Sequence, residues 1–363
     1  MKSHNYCIIM AGGVGVRFWP LSTTDQPKQF IDILGTGQTL IQMTWNRFRK
    51  IIPAENIYIV TNFQYRELVL QQIPEISEEQ VLCEPARRNT APCIAYASYK
   101  ICQQDPEANF VVAPSDHIIL QEENFLSVIR KALEVSARSP YLFTLGIRPN
   151  RPDTGYGYIQ FNENHVFEGI PEIRKVKTFT EKPVLEMAET FLRSGDFLWN
   201  SGIFIWSAQS ILEAFDRHLP EISSLFREGN NSYNTPDEPE FIREAYGVCT
   251  NISIDYGVME KADNVLVYMA DFGWSDLGTW GSLYEQLPRN EHQNAIVSSN
   301  VIMYDCANCI VNLPEGKLAV IQKLDGYIVV ESNDMLLICR KEDEQDIRLF
   351  VNDVKSLKGD QYI

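Results

Sequence analysis

Glycines at positions 12, 13 and 15 follow the apolar run Tyr6-Cys7-Ile8-Ile9-Met10, and two cations come soon after. Arg17 lies two residues past the last glycine, and Lys28 sits in Pro27-Lys28-Gln29-Phe30. An apolar run ended by glycine reads as a buried strand entering a loop. Glycine lets the backbone turn tightly and approach a ligand closely. Backbone amides beside two cations suit an anionic ligand, most simply a polyphosphate. The same residues also describe a plain glycine turn with solvated cations. Two familiar phosphate loops are excluded. No Gly-Lys-Ser/Thr triple follows Gly13, as a Walker A loop needs, and Phe18 stands where a dinucleotide fingerprint needs its third glycine.

The elements around this loop alternate. Strands are predicted at 6–10, 56–60, 109–113 and 141–145, and helices at 39–50, 62–72, 91–104 and 124–137. This βαβα rhythm implies a parallel sheet with helices on both faces. Ligands of such sheets bind beyond the carboxyl ends of the strands, where both the glycine loop and Pro114-Ser115-Asp116-His117 fall. The middle is mixed, with strands at 156–161, 176–180 and 202–206, helices at 184–194 and 208–218, and a polar surface loop at 229–237. From about residue 292 the helical rhythm stops. Short apolar runs separated by Asn, Asp and Gly read there as a small all-β region with a charged C-terminal tail.

The chain has 363 residues, 45% hydrophobic and 22% charged, with a formal net charge of -16. An acidic surface repels phosphate backbones, so no nucleic-acid partner is expected and any phosphate site must be a local basic pocket. No stretch has the length of a membrane span, and the N-terminal apolar run is too short for a signal peptide. Of the eight cysteines only Cys306 and Cys309 form a Cys-x-x-Cys, without a second pair to complete a zinc site. Reduced cysteines, a cytoplasmic location and no membrane contact are the expectation.

The ordered motifs carry a resemblance. Residues 11–22, followed by Pro27-Lys28-Gln29-Phe30, resemble the signature of sugar-1-phosphate nucleotidyltransferases, in the form of the mannose-1-phosphate guanylyltransferase branch. Glu84-Pro85-Ala86-Arg87-Arg88-Asn89-Thr90-Ala91-Pro92, Pro114-Ser115-Asp116-His117 and residues 152–159 agree. So do Glu181-Lys182-Pro183, residues 199–204, 253–260 and 274–280, and the set covers nearly the whole chain in order. The resemblance implies that GTP and mannose 1-phosphate give GDP-mannose and diphosphate. A sugar phosphate is already largely dianionic near neutral pH and needs no protein base. Catalysis is then positioning and charge neutralisation, with in-line attack on the α-phosphorus.

The resemblance also distributes roles. Asp116 and Asp276 are the implied ligands of a Mg²⁺ ion, which takes one or two carboxylates plus substrate phosphates. Arg17 and Lys28 are expected on the β- and γ-phosphates, with the amides of Gly12, Gly13 and Gly15 facing phosphates and ribose. Lys182 matches the lysine that holds the sugar phosphate, and Gly155, Glu181, Asn200 and Asp255 match hexose contacts. The 84–92 segment resembles the base loop. Glu84 or nearby carbonyls are candidate acceptors for the guanine donors, and Asn89 either contacts the base or caps the following helix. His117 reads as structural. The implied fold is a Rossmann-like, GT-A-like domain with a mixed sheet over residues 1–285, then a β-helix-like domain over 292–363. A β tail of that kind is compatible with a homodimer. Two other readings stay open: a nucleotidyltransferase for another base or hexose, and a non-catalytic sugar-nucleotide sensor.

Overall fold

The computed structural model describes residues 3–363. Its contacts divide the chain into two compact units. The first holds the residues up to Gly12 together with Thr44–Ser115 and Ile119–Trp274. The second holds Gly13–Met43, Asp116–Ile118 and Ser275–Ile363. The sequence expectation places one boundary between residues 285 and 292. In the structure the glycine loop, Asp116 and residues 275–291 cluster with the C-terminal region, because their apolar side chains share one core.

A nine-stranded sheet organises the first unit. Its strands are β1 (Asn5–Ala11), β2 (Ile57–Asn62), β3 (Val81–Glu84), β4 (Asn109–Pro114), β6 (Leu142–Ile147), β7 (Tyr158–Phe167), β8 (Ile170–Thr180), β9 (Phe197–Ser207) and β10 (Val265–Ala270). A two-residue strand, β5 (Ile118–Ile119), follows β4 in the chain. The order is β3-β2-β1-β4-β9-β6-β10-β8-β7. The first four strands are parallel, as the βαβα rhythm requires, and β9 enters antiparallel against both β4 and β6. The sheet is therefore mixed. Helices α1 (Leu40–Phe48), α2 (Arg66–Gln72), α3 (Thr90–Cys102) and α4 (Glu122–Ser136) fall within a few residues of the expected spans. So do α5 (Leu185–Ser194) and α6 (Ala208–His218), after which come α7 (Pro220–Glu228) and α8 (Glu238–Val248). Strand β3 is absent from the sequence expectation, since four residues carry too little periodicity. The polar loop at 229–237 is more anchored than its composition suggests, because Tyr233 is buried and its hydroxyl donates to the Phe226 carbonyl.

In the second unit, α9 (Trp280–Gln286) precedes short strands that coil. Ala295 pairs in parallel with Ile310, and Ile310 with Ile328, while Val301 pairs with Ala319. Rungs separated by 15 to 18 positions, with like residues stacked, make the expected β-helix-like coil. Cys306 and Cys309 are buried in it as free thiols, each donating to a backbone carbonyl.

The charged tail is corrected. Residues Ile347–Lys358 form helix α10, whose Ile347, Phe350, Val351 and Val354 recur at helical spacing. These side chains join Phe18, Trp19, Ile31, Ile33, Leu277 and Trp280 in one cluster, and the Trp19 indole donates to the Tyr362 carbonyl at 2.7 Å. The glycine loop is thus seated on the C-terminal helix. No helix among the described residues is long and apolar enough to cross a membrane.

Trp280 is fully buried and its ring lies 5.1 Å from that of Phe18. Trp280→Ala is expected to cost about 3–5 kcal/mol. The check is the shift in urea midpoint; an unchanged midpoint would show that this cluster does not hold the loop.

Candidate active site

The glycine loop leaves β1 and is braced on its carbonyl side. Gln29 donates to the Gly13 carbonyl at 2.9 Å, and the Ser22 hydroxyl and Lys28 amide both donate to that of Val14. Gly15 has φ +76°, and a Cβ there would lie 2.7 Å from the Lys28 Cβ. Only glycine suits both the conformation and the space.

Lys28 is 4% exposed. Its ammonium donates to the Leu277 carbonyl at 2.7 Å and the Asp276 carbonyl at 3.1 Å, and pairs with the Asp116 carboxylate at 2.8 Å. An ammonium has three donors, and here each meets a protein acceptor. Burial alone would raise the Asp116 carboxyl, but the charges of Lys28 and His117 and the lysine hydrogen bond outweigh it and hold the group below the ordinary range. Asp276 accepts from the Gly278 amide at 2.9 Å. Leu277 between them has φ +45°, an uncommon conformation for a leucine.

These groups line one cavity of about 570 Å³: Gly15, Arg17, Lys28, Asp116, His117, Asp276 and Gly278, with Arg348 and Asn352 from α10. Among the described residues no group of three or more His, Cys, Asp or Glu could hold a metal ion. Asp116 and Asp276 nonetheless line one cavity as two hard carboxylate donors, of the kind a divalent metal ion takes when phosphate and water complete its shell. The residues fit that group. Arg348 and Asn352 are not among the residues singled out from the sequence, although the apolar spacing that makes α10 a helix is there to read.

The other residues singled out from the sequence lie in the first unit. Glu84 ends β3, is buried, and accepts from the Tyr246 hydroxyl at 3.0 Å. A Cβ on Gly12 would lie 3.4 Å from its other oxygen. Burial pushes the Glu84 carboxyl up to about 7, against the Tyr246 hydrogen bond and the Arg87 charge. Asn89 has φ +69° and its side chain accepts from the Thr90 amide, so of its two readings the cap is the one it fills. Arg88 donates to the Tyr246 carbonyl. The Thr90 hydroxyl accepts from the Ile254 amide, one residue before Asp255, which ties the 84–92 segment to the 253–260 segment.

Asn200 donates to Asp255 at 2.6 Å and accepts from the Thr144 hydroxyl at 3.0 Å. Burial, then the neighbouring Glu181 charge, raises the Asp255 carboxyl to about 6, while the Asn200 hydrogen bond opposes the rise. Glu181 pairs with Lys182, whose φ is +47° and whose side chain is exposed. Gly157 is the glycine this group needs. A Cβ there would overlap the Glu181 carboxylate and press on Asn200, whereas Gly155 contacts Asp153. Glu181, Asn200 and Asp255 therefore converge, and the Gly155 amide donates to the Asp153 carboxylate at 2.8 Å.

A family description, nucleotidyl transferase, matches residues 6–293. The chain belongs to the nucleotidyl transferase family. It is 34% identical over 362 residues to the mannose-1-phosphate guanylyltransferase of Escherichia coli K12, covering 98% of this chain and 74% of that protein. A mannose-1-phosphate guanylyltransferase of Sinorhizobium fredii is 36% identical over 362 residues, covering 97% of this chain and 68% of the relative. The crystal structure of a mannose-1-phosphate geranyltransferase from Thermus thermophilus superimposes with a TM-score of 0.85 at 28% identity, over 97% of this chain and 100% of that one. The expectation of a nucleotidyltransferase enzyme on a mixed α/β sheet is met.

Gly15→Ala forces an alanine into the left-handed region, at about 1–2 kcal/mol, and drives it into Lys28. Turnover is expected to fall at least tenfold, with a lowered melting midpoint. A variant with wild-type stability and rate would mean that the loop tolerates a side chain at this position.

Proposed function

We propose that this chain transfers the guanylyl group of GTP to the phosphate of mannose 1-phosphate, releasing GDP-mannose and diphosphate. The single observation that carries the reading is the cavity lined together by Asp116, Asp276, Arg17, Lys28 and Gly15 of the glycine loop. The names borne by its relatives support the choice of base and hexose. The soluble composition is consistent with action in the cytoplasm.

The sugar phosphate oxygen attacks the α-phosphorus. The bond from that phosphorus to the bridging oxygen breaks, and its electron pair leaves with the diphosphate. No proton need be removed from the nucleophile near neutral pH. The obstacle is two anions approaching, so the protein supplies position and compensating charge. The amides of the glycine loop and the Arg17 guanidinium hold the triphosphate. Lys28 holds the Asp116 and Asp276 segments in place and puts a positive charge beside them. Asp116 and Asp276 would hold a magnesium ion, which when bound supplies charge neutralisation between the phosphates. Glu84, at the end of β3, accepts from the guanine edge. Asp255, Asn200 and Glu181 accept from and donate to hexose hydroxyls, and Lys182 is released from Glu181 to meet the sugar phosphate. Asn89 serves by capping the helix that follows the base loop.

A matrix of nucleoside triphosphates against hexose 1-phosphates, read by diphosphate release, tests the specificity. GTP with mannose 1-phosphate is expected to be fastest, and equal rates with dTTP and glucose 1-phosphate would overturn the assignment. Asp116→Ala and Asp276→Ala are each expected to lower turnover by at least about 100-fold. Wild-type-like activity in either removes that residue from the site.

Asp255 is ionised above about pH 6 and protonated below it. As an anion it is a stronger acceptor for a sugar hydroxyl than as a neutral carboxyl. The sugar phosphate itself protonates in the same range, so the useful measure is the KM for mannose 1-phosphate in Asp255→Asn relative to wild type. That ratio is expected to be large at pH 7.5 and to shrink toward one as the pH falls below 6. A ratio constant from pH 5 to 8 would sink the role.

A further inference from the structure

Helix α10 brings two polar side chains to the phosphate cavity. Arg348 and Asn352 are four residues apart, hence neighbours on one helix face, and both line the cavity with Arg17, Lys28, Asp116 and Asp276. The adjoining face, with Ile347 and Val351, is buried against the cluster that contains Phe18 and Trp19. The helix is therefore fixed to the glycine loop, and its exposed face is held in register with it. Neither the Arg348 guanidinium nor the Asn352 amide group makes a hydrogen bond or ion pair with any described residue. The nearby ammonium of Lys28, by contrast, is committed to Asp116 and two carbonyls.

The charges make this placement informative. Lys28 offsets Asp116, and the other cationic side chains that line the cavity are Arg17 and, from α10, Arg348. In nucleotidyl transfer, negative charge develops on the diphosphate as the α-phosphorus–oxygen bond breaks. Donors placed where that charge appears lower the barrier. A guanidinium fork matches two phosphate oxygens at once, and it is weakly hydrated, so it gives up little on engaging them.

We propose that Arg348, with Asn352 beside it, binds the leaving diphosphate. The C-terminal helix is then part of the active site as well as the support of its glycine loop. The class of ligand is a diphosphate, free or as the β- and γ-phosphates of the nucleotide. This inference rests on the nucleotidyltransferase reading given above.

The test uses the full chain with Mg²⁺ and the variants Arg348→Ala, Arg348→Lys and Asn352→Ala. Arg348→Ala is expected to raise the KM for diphosphate in the reverse reaction tenfold or more, and to lower forward kcat/KM for GTP by a similar factor. The KM for the sugar phosphate, and that for the sugar nucleotide in reverse, should stay within twofold. Arg348→Lys should recover part of the loss, and Asn352→Ala should show a smaller change of the same kind. Because Arg348 has no partner among the described residues, the melting midpoint should not move. An Arg348→Ala enzyme with wild-type diphosphate KM overturns the proposal, as does one whose sugar-nucleotide KM rises equally. Calorimetric titration with diphosphate keeps the test independent of turnover. Tenfold weaker binding to Arg348→Ala supports the role, and equal binding, or none to the wild-type chain, refutes it. If the wild-type chain turns over and the variant matches it, this inference alone fails. If no substrate pair releases diphosphate from the wild-type chain, the functional reading fails.

Discussion

A buried ammonium holds the phosphate region together. Lys28 reaches the Asp116 carboxylate and two carbonyls, those of Asp276 and Leu277, about 250 positions along the chain. Burying a cation is costly unless its donors are all met, and here they are. The loop from Gly13 onward, the Asp116 turn and the Asp276 turn are thereby tied together. The requirement propagates outward. Gly15 must lack a side chain because the lysine stem occupies that space, and Leu277 takes a left-handed backbone so that two successive carbonyls can serve the same ammonium. Helix α10 closes the arrangement from behind through Phe18 and Trp19.

Three carboxylates named in the proposed function are shifted in opposite directions, and the cause is the balance between burial and the charges beside each. Asp116 has Lys28 against it and is held ionised. At Asp255 and Glu84 burial dominates and pushes the carboxyl up; the Asn200 hydrogen bond and the Lys182 charge at Asp255, and the Tyr246 hydrogen bond and the Arg87 charge at Glu84, oppose the rise without overcoming it. Such a division suits the chemistry proposed. A metal-holding carboxylate works as a full anion, whereas carboxylates that read hydroxyl or base donors gain selectivity from being dry and hydrogen-bonded.

Much of this is legible residue by residue. The glycine run after an apolar strand, the cations that follow it and the order of the motifs lead to the family and to nearly every group discussed. Other features are hidden for identifiable reasons. Asn89 offers two readings, because a residue that can cap a helix can also meet a ligand, and the structure shows it capping. Gly155 draws attention as part of a motif, yet Gly157 is the one pressed against Glu181, since a glycine's importance depends on what its missing Cβ would touch. Helix α10 reads as charged tail although Ile347, Val351 and Val354 carry the period, because its apolar face is narrow and its acidic approach dominates the composition.

By itself, the sequence determined what depends on neighbours along the chain: the alternation of strands and helices, the loop that glycine permits, the short β-strands after residue 292 and the identity of the chemical groups. Only the tertiary structure decided which groups answer one another. Lys28 reads from the sequence as a free cation for phosphate. Its commitment to Asp116 and the Asp276–Leu277 carbonyls exists only when segments far apart in sequence are packed on a shared apolar core. The division of the chain into two units, and the arrival of Arg348 at the phosphate cavity, follow from that same packing. Local patterning is set by backbone geometry and side-chain period, whereas partnerships between distant segments are set by which apolar faces bury each other, and that is a property of the folded chain.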